Sequence, residues 1–219
     1  MPRAAKSDTI EGIYQYTYFF PQVKGEGGIA VPEVIQQLDE QILVWIAQNI
    51  RCAVLDPFMK LYTQLGNTGM LFIALGVLLL LFKPTRRAGV SALCAMLIGL
   101  IVVNFTIKPI MARPRPWLVI ENFVNLVPEH DPNSFPSGHT NAAFAFALAV
   151  CMSAPKKWMK VSAVCAAVVM GLSRLYVGVH FPSDVLAGAA IGSLCGLLGA
   201  WVAGKAWERL SRRTPQAPG

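Results

Sequence analysis

The stretch SRLYVGVHFPSD, residues 173–184, decides how this chain folds. Apolar runs at about 158–177 and about 184–207 flank it, and each has the roughly 20 residues that a helix needs to cross a bilayer. The stretch is therefore a tight turn between two spans. It carries Arg174, His180 and Asp184 at the ends of apolar segments, where ionisable side chains are costly and mark a candidate site.

The composition of the whole chain agrees with membrane insertion. Of the 219 residues, 54% are hydrophobic and 14% are charged, and the mean hydropathy is +0.49. These values favour a single integral membrane domain over a soluble one. The basic residues behind the net charge of +7 form short clusters between apolar runs, which is typical of membrane topology, so we predict no nucleic-acid partner. The five cysteines lack CxxC spacing. We expect them to be small buried apolar residues that form no disulfides and bind no metal.

Polar and apolar segments divide the chain into four regions. Residues 1–33 form a polar, partly aromatic N-terminal arm. Residues 34–51 have an amphipathic pattern too polar for a lipid-exposed span, which predicts an interfacial helix. Residues 52–207 form the transmembrane domain, and residues 208–219 form a basic cytoplasmic tail.

We predict an all-α, polytopic bundle of five spans, or six if residues 34–50 also cross the bilayer. The first begins near Asp56 or Leu61 and ends at Phe82; the others lie at about 88–107, 139–153, 158–177 and 184–207. In the last span, small residues recur at every fourth position: Gly188, Gly192, Gly196, Ala200 and Gly204. Such a stripe predicts close helix packing, within the monomer in preference to a dimer seam.

Three basic clusters, at 83–87, 156–160 and 205–213, occupy alternate connections. The positive-inside rule places all three in the cytoplasm, together with the C-terminus. The opposite, extracytoplasmic face then receives residues 108–135 and the turn around His180. With five spans the N-terminus is extracytoplasmic, and with six it is cytoplasmic. The predicted location is the inner or plasma membrane.

Residues 136–139, PSGH, open the short Ala-rich helix. Ser137 is a good N-cap, and Gly138 lets an anion approach the first free amides, so a phosphate oxygen fits there. A plain serine cap explains the tetrapeptide equally well. The block alone therefore does not decide between a cap and a phosphate site.

Lys108, Arg115 and Arg174 all lie near span ends on the extracytoplasmic side. Three cations brought together would repel one another unless an anion lay between them, and a phosphate meets that need, because arginine offers a bidentate fork and lysine a point charge. Arg113 lies in the same proline-rich segment. We interpret it as a cation that reaches the lipid headgroups.

His180 and Asp184 stand four residues apart in the turn. Asp184 is either the N-cap of the last helix or the partner of one His180 ring nitrogen. In the second case it would fix the tautomer while the other nitrogen attacks an electrophile, as an oriented nucleophile requires. His130 lies in a polar loop beside Asp131 and is interpreted as a surface or substrate-facing residue.

Taken together, Lys-x6-Arg-Pro, Pro-Ser-Gly-His and Ser-Arg-x5-His-x3-Asp resemble the tripartite motif of the type 2 phosphatidic acid phosphatase superfamily. All eleven motif positions match, and the resemblance covers about residues 55–207. It implies a histidine-phosphatase-type core within the helix bundle. The small size is most similar to bacterial membrane lipid phosphatases that hydrolyse undecaprenyl diphosphate, phosphatidylglycerol phosphate or phosphatidic acid.

The resemblance also implies residue roles. His180 would attack phosphorus and form a phosphohistidine, Asp184 would orient it, and His139 would protonate the leaving oxygen. The phosphate oxygens would be held by Lys108, Arg115, Ser137, Gly138 and Arg174. No metal or other cofactor is needed in this scheme. The expected partners are a lipid phosphate or diphosphate and the bilayer.

Two alternatives share the cation pocket. One is a non-catalytic lipid-phosphate binder or transporter, which does not require the histidines. The other is a lipid-linked phosphotransferase that passes the phosphoryl group to an acceptor other than water.

The loop at 117–135 is the expected surface for selection of the lipid headgroup.

Overall fold

A computed structural model describes residues 31–213, with side chains through residue 209. The predicted N-terminal arm lies almost entirely outside the described residues, as does the end of the tail. Nine helices occupy the described part: α1 Glu33–Asn49, α2 Leu55–Leu65, α3 Met70–Leu81, α4 Arg86–Leu100, α5 Lys108–Met111, α6 Pro116–Val119, α7 Gly138–Ser153, α8 Lys157–Tyr176 and α9 Pro182–Arg213. Short 3-10 turns at Asn67–Gly69 and Lys83–Thr85 flank α3, and a π-helical segment, Ile101–Ile107, joins α4 to α5.

Three helical stretches have the length and composition to cross a membrane: Lys83–Met111, Lys157–Tyr176 and Pro182–Arg209. A fourth results if α2 and the segment Asn67–Leu81, which meet at a bend of 55°, form one broken span. The described residues therefore support three or four spans by length and composition, against the five to six predicted. Helix α7 accounts for one of the missing spans, because its 16 residues extend about 24 Å, less than the hydrocarbon thickness of about 30 Å.

The centre of the bundle is built where α7 and α4 pack against α9. Small side chains make this possible, because Gly192 lies so close to α7 that a Cβ there would be 2.4 Å from the carbonyl oxygen of Asn141. On the same helix, a Cβ at Gly199 would be 2.5 Å from the Cα of Ala95 in α4. The small-residue stripe thus packs within the monomer, as the sequence predicts.

Helix α1 lies against the bundle with one face. Its buried residues are Asp39 and Leu43, whereas Val34, Leu38 and Trp45 are exposed. The apolar residues on the outer face are consistent with contact to lipid. The one buried carboxylate of this helix, Asp39, faces the turn between α8 and α9.

The cysteines only partly follow their prediction. All five are free, and Cys195 is buried. Cys52 and Cys165 are exposed, so the expectation of buried side chains is wrong for these two. Cys165 belongs to α8, and an apolar side chain on the outside of a membrane helix meets lipid without cost.

Candidate active site

The three motif blocks meet at one end of the bundle. The last turn of the α4–α5 stretch supplies Lys108, the N-terminus of α7 supplies His139, and the end of α8 supplies Arg174. The turn after α8 supplies His180, whose electrostatic neighbours include the three residues just named and Arg115. Blocks that are up to about 70 positions apart in sequence therefore form one cluster, as predicted.

His180 is 1% exposed and lies between a cation and a carboxylate. Its Nε2 is 3.1 Å from Nη1 of Arg115, and its Nδ1 is 3.6 Å from Oδ2 of Asp184. Because a guanidinium only donates hydrogen bonds, Nε2 accepts and the ring proton belongs on Nδ1, facing the carboxylate. The second distance is longer than a hydrogen bond.

The pKa of His180 is held well below its usual value. Burial is the main cause, and the nearby positive groups Arg115, Arg174, Lys108 and His139 add to it. Both effects disfavour a charged imidazole. At neutral pH the ring is therefore neutral, with an unprotonated Nε2 that accepts from Arg115.

Asp184 contacts the start of α9 and Arg113, and it lies beside the ring of His180. Its Oδ2 accepts a hydrogen bond of 2.8 Å from the backbone N–H of Phe181, the residue before α9. The carboxylate thus caps the helix from its third position, as the acidic residue of a capping box does. Its Oδ1 accepts a bond of 2.6 Å from Nη1 of Arg113.

The interpretation of Arg113 as a headgroup-seeking cation is wrong. Its side chain is 3% exposed, and its guanidinium lies 4.2 Å from the ring centroid of Phe181. Besides Asp184, it donates to Oδ2 of Asp39 at 2.7 Å and to Oε1 of Gln36 at 2.6 Å. Two carboxylates from separate elements hold this cation inside the protein. The contacts to α1 are long-range and leave no local sequence pattern, although Asp39 shares a helical stripe with buried Leu43.

Two carboxylates of the loop before α7 supply the anions that the cation cluster was expected to need. Oε2 of Glu129 is 2.7 Å from Nη2 of Arg174 and 3.6 Å from Nη2 of Arg115. Asp131 forms an ion pair with Lys108 and lies 3.8 Å from Arg115. A phosphate that entered this site would compete with both acidic side chains.

The pKa of Asp131 reflects these contacts. Partial burial alone would raise it, but the hydrogen bonds from Lys108 and from the backbone N–H of Asn133, with the charge of Arg115, bring it below the usual value. Asp131 is therefore charged at neutral pH. The exposed His130 beside it fits its interpretation as a surface residue.

Ser137 caps α7, as the sequence predicts. Its hydroxyl accepts from the backbone N–H of Thr140 at 3.4 Å and lies 2.9 Å from the Thr140 hydroxyl. Gly138 is the first residue of the helix. The amide of Gly138 and the hydroxyl of Ser137 thus lie at the positive end of a helix dipole.

His139 contacts Asn67, a polar residue within the first predicted span whose contact with the site has no local sequence signal. Its Nε2 is 3.0 Å from Oδ1 of Asn67 and 3.5 Å from Nη1 of Arg174. The shorter contact, to an acceptor, favours a proton on that nitrogen. Arg174 also bonds Oγ1 of Thr63 at 2.7 Å. Thr63 lies near the end of α2, and Asn67 lies in the 3-10 turn between α2 and α3. A cavity of about 260 Å³ opens beside them, lined by Thr63, Gln64, Asn67, Val127, Pro128 and Arg174.

The described residues contain no group of three or more histidine, cysteine or acidic side chains placed to hold a metal ion. The electropositive groups of the cluster are instead side-chain cations. Their geometry suits an anion with several oxygens.

Comparison with known proteins decides the family. The sequence profile of the PAP2 superfamily matches residues 88–208, which include all three motif blocks. The chain belongs to the PAP2 superfamily. This confirms the resemblance to type 2 phosphatidic acid phosphatases that the motifs carry.

Several PAP2 proteins are similar over much of their length. An undecaprenyl-diphosphatase of Sulfolobus acidocaldarius is 37% identical over 145 residues, which are 64% of this chain and 67% of that protein. The crystal structure of Aquifex aeolicus LpxE aligns with a TM-score of 0.66 and 31% identity, covering 74% of this chain and 94% of that one. A transmembrane PAP2-type phosphatidylglycerolphosphate phosphatase from Bacillus subtilis aligns with a TM-score of 0.63 and 29% identity, over 79% and 88% of the two chains. Together with the long apolar helices, this membership makes the chain a multi-pass membrane protein.

Proposed function

We propose that this protein is a membrane-embedded lipid phosphate or diphosphate phosphatase that works through a phosphohistidine on His180. The observation that carries the proposal is the state of that ring, with an unprotonated Nε2 directed at Arg115 and Nδ1 toward Asp184. A binding protein or transporter needs the cations but not a neutral, buried nucleophile beside them. Membership in a superfamily of lipid phosphatases supports the same reaction.

In the first step, Nε2 of His180 attacks phosphorus while the bond from phosphorus to the leaving oxygen breaks. His139 donates its proton to that oxygen, so the lipid product leaves as a neutral hydroxyl or a protonated phosphate. The ring of His180 becomes positively charged as the new N–P bond forms. The carboxylate of Asp184 stabilises this charge from the Nδ1 side.

In the second step, water attacks the phosphohistidine. His139, now without its proton, accepts one from the water, and the N–P bond breaks with its electron pair returning to Nε2. Inorganic phosphate leaves, and both histidines regain their initial states. Atoms and protons balance over the cycle.

The transferring phosphoryl group carries its charge on three oxygens, and the cluster offers donors for them. We assign the phosphate oxygens to Lys108, Arg115, Ser137, Gly138 and Arg174. Hydrogen bonds to charged groups contribute about 1.5–3 kcal/mol each, and they lower the barrier as far as they are stronger in the transition state. Glu129 and Asp131 must release these cations when the phosphate enters.

The site is assigned to the extracytoplasmic face. Supporting this, the basic clusters at 83–87, 156–160 and 205–213 lie in alternate connections away from the site, which is typical of cytoplasmic loops. In this arrangement α7 serves as a further, short span, giving five, and the C-terminus is cytoplasmic. Helix α1 then lies at the outer interface.

For the substrate, we propose undecaprenyl diphosphate or a glycerophospholipid phosphate. These are the classes that the names of the Sulfolobus acidocaldarius and Bacillus subtilis proteins state. The polar cavity beside Arg174, between α2 and the loop before α7, is placed to receive the part of the lipid next to the scissile bond.

Phosphate release from these lipids in detergent tests the proposal. The wild-type protein should release inorganic phosphate, and His180→Ala should reduce the rate by several orders of magnitude, as the loss of a covalent nucleophile does. His130→Ala, a matched change at an exposed histidine, should retain the wild-type rate. Wild-type turnover in His180→Ala, or a phosphorylated acceptor in place of free phosphate, would contradict the proposal.

A further inference from the structure

Helix α1 contributes a carboxylate to the active-site end although it lies outside residues 88–208, the part matched by the family profile. Asp39 is 3% exposed. Its Oδ2 accepts from Nη2 of Arg113 at 2.7 Å and from the hydroxyl of Ser183, and its Oδ1 accepts a 2.9 Å bond from the backbone N–H of Ser183. No step assigned so far uses this residue.

The contacts of Asp39 continue to the proposed nucleophile. Arg113 bridges two carboxylates, with Nη2 on Asp39 and Nη1 on Oδ1 of Asp184 at 2.6 Å. The other oxygen of Asp184 lies 3.6 Å from Nδ1 of His180. Ser183 is adjacent in sequence to Asp184. Asp39 therefore holds Asp184 in two ways, through Arg113 and through the backbone of Ser183.

The charges of Asp39, Arg113 and Asp184 determine the net charge next to His180. Arg113 on its own would neutralise Asp184 and leave little negative charge for the ring of His180. With Asp39 present, two carboxylates share one guanidinium, and one net negative charge remains next to the imidazole. In a buried site such a charge favours a cationic ring.

We propose that Asp39 is a positioning residue for the reaction: through Arg113 and Ser183 it holds Asp184, and it leaves that carboxylate free to balance the positive charge that His180 acquires. This inference rests on the proposed function of His180 as the nucleophile. It also ties the nucleophile to a helix whose outer face carries exposed apolar residues.

Asp39→Asn tests the proposal, because it removes the charge and keeps the shape. We expect kcat to fall about tenfold to a hundredfold, the cost that is typical when a metal ligand loses the partner that orients it, with little change in KM. Glu33→Gln makes the same chemical change at an exposed position of the same helix and should match the wild type.

The pH profile separates this role from a purely structural one. Groups that face His180 are Lys108, Arg115, Arg174, His139 and Asp184, with Glu129 and Asp131 bound to the cations. Removal of one negative charge disfavours the imidazolium, so the acid limb of kcat/KM should move to lower pH in Asp39→Asn. Arg113→Gln, which leaves two carboxylates without their cation, should move it to higher pH.

The double variant Asp39→Asn with Arg113→Gln restores a single net negative charge. Its acid limb should return close to the wild-type position, and its kcat should exceed that of Arg113→Gln alone. The proposal would be overturned if the fold-loss of kcat in the double variant equalled the product of the two single losses and the acid limb did not move in the stated directions. If Asp39→Asn fails to fold in detergent, the comparison of Arg113→Gln with the double variant decides by the same criteria.

Failure of this inference is distinct from failure of the proposed function. A wild-type protein that releases phosphate, with an inactive His180→Ala, supports the function whatever Asp39 does. If Asp39→Asn then has the same kcat and the same acid limb as Glu33→Gln, only the positioning role of Asp39 is overturned. A wild-type protein that releases no phosphate from any lipid phosphate overturns both.

Discussion

At the scale of single residues, the environment of His180 determines what its ring can do. Arg115 orients the Nε2 electron pair, and burial with nearby cations keeps the pKa low. A phosphate dianion would offset those cations on entry and favour the positive ring that would form during the proposed attack. The same cluster therefore keeps the ring neutral before binding and tolerates its charge afterwards.

The pH dependence of the rate should be bell-shaped, because the proposed mechanism requires a neutral His180 and a protonated His139. Since the pKa of His180 is lowered, the neutral ring persists as pH falls and is lost only when pH passes below that lowered value. The acid limb of kcat/KM should thus lie below the ordinary histidine range. Measurement with one lipid phosphate across the range tests this, and a rate that rises monotonically with pH would contradict the division of roles.

Local motifs sufficed for some residues and not for others. The cap at Ser137 and the proximity of His180 to Asp184 follow from positions three or four residues apart, where helix and turn geometry dictate contact. The contacts of Arg113 have no local signal, because its partner Asp39 is 74 positions away. Sequence spacing does not report such contacts, and a cation at a span end is ambiguous between lipid and protein.

At the scale of helices, the closeness of α7, α4 and α9 holds the histidines in place. Gly192 and Gly199 remove the side chains that would separate these helices. His139 is the second residue of α7, and Asp184 lies in the first turn of α9. A small displacement between the two helices would therefore change the distance between the proposed acid and the proposed nucleophile.

Gly192→Ala should destabilise the bundle by about 1–3 kcal/mol, the typical cost of an extra methyl in a packed core. The added Cβ would meet the backbone of Asn141 at 2.4 Å, and backbone cannot move aside as a side chain can. Gly204→Ala is the matched control, because its Cβ would meet only the end of the Arg87 side chain at 3.2 Å. Thermal unfolding in detergent measures both, and equal stability of the two variants would contradict this account.

The positions of the long helices could be predicted from the sequence more accurately than the number of membrane spans. Apolar runs in the sequence located α8 to within one residue and the start of α9 to within two, because a continuous run of about 20 is a strong signal. Helix α7 is short and α2 bends into α3 at 55°, so neither meets a simple length test. Such irregular segments are stabilised by neighbouring helices, which hydropathy does not register.

At the scale of the whole molecule, charge separates the two ends of the bundle. The proposed site gathers cations paired with acidic side chains, whereas the far end carries Lys83, Arg86 and Arg87 in one loop and Lys156 and Lys157 in another. Only the basic residues at the far end follow the pattern of cytoplasmic loops. The cations of the proposed site have acidic partners within the protein.

Labelling tests this orientation. In a variant whose five cysteines are replaced, His130→Cys should react with a membrane-impermeant thiol reagent on intact cells, because the loop before α7 is assigned to the outside. Glu208→Cys, near the C-terminus, should react only after the cells are opened. The reverse pattern would place the site in the cytoplasm and contradict the proposed topology.

The central claim is that His180 carries the phosphoryl group between lipid and water, and trapping tests it most directly. A lipid phosphate labelled with ³²P is mixed with enzyme, quenched rapidly in alkali, and the labelled peptide is identified. We predict an acid-labile, alkali-stable label on His180 that is absent from His180→Ala. A label on another residue, or wild-type phosphate release from His180→Ala, would contradict the account.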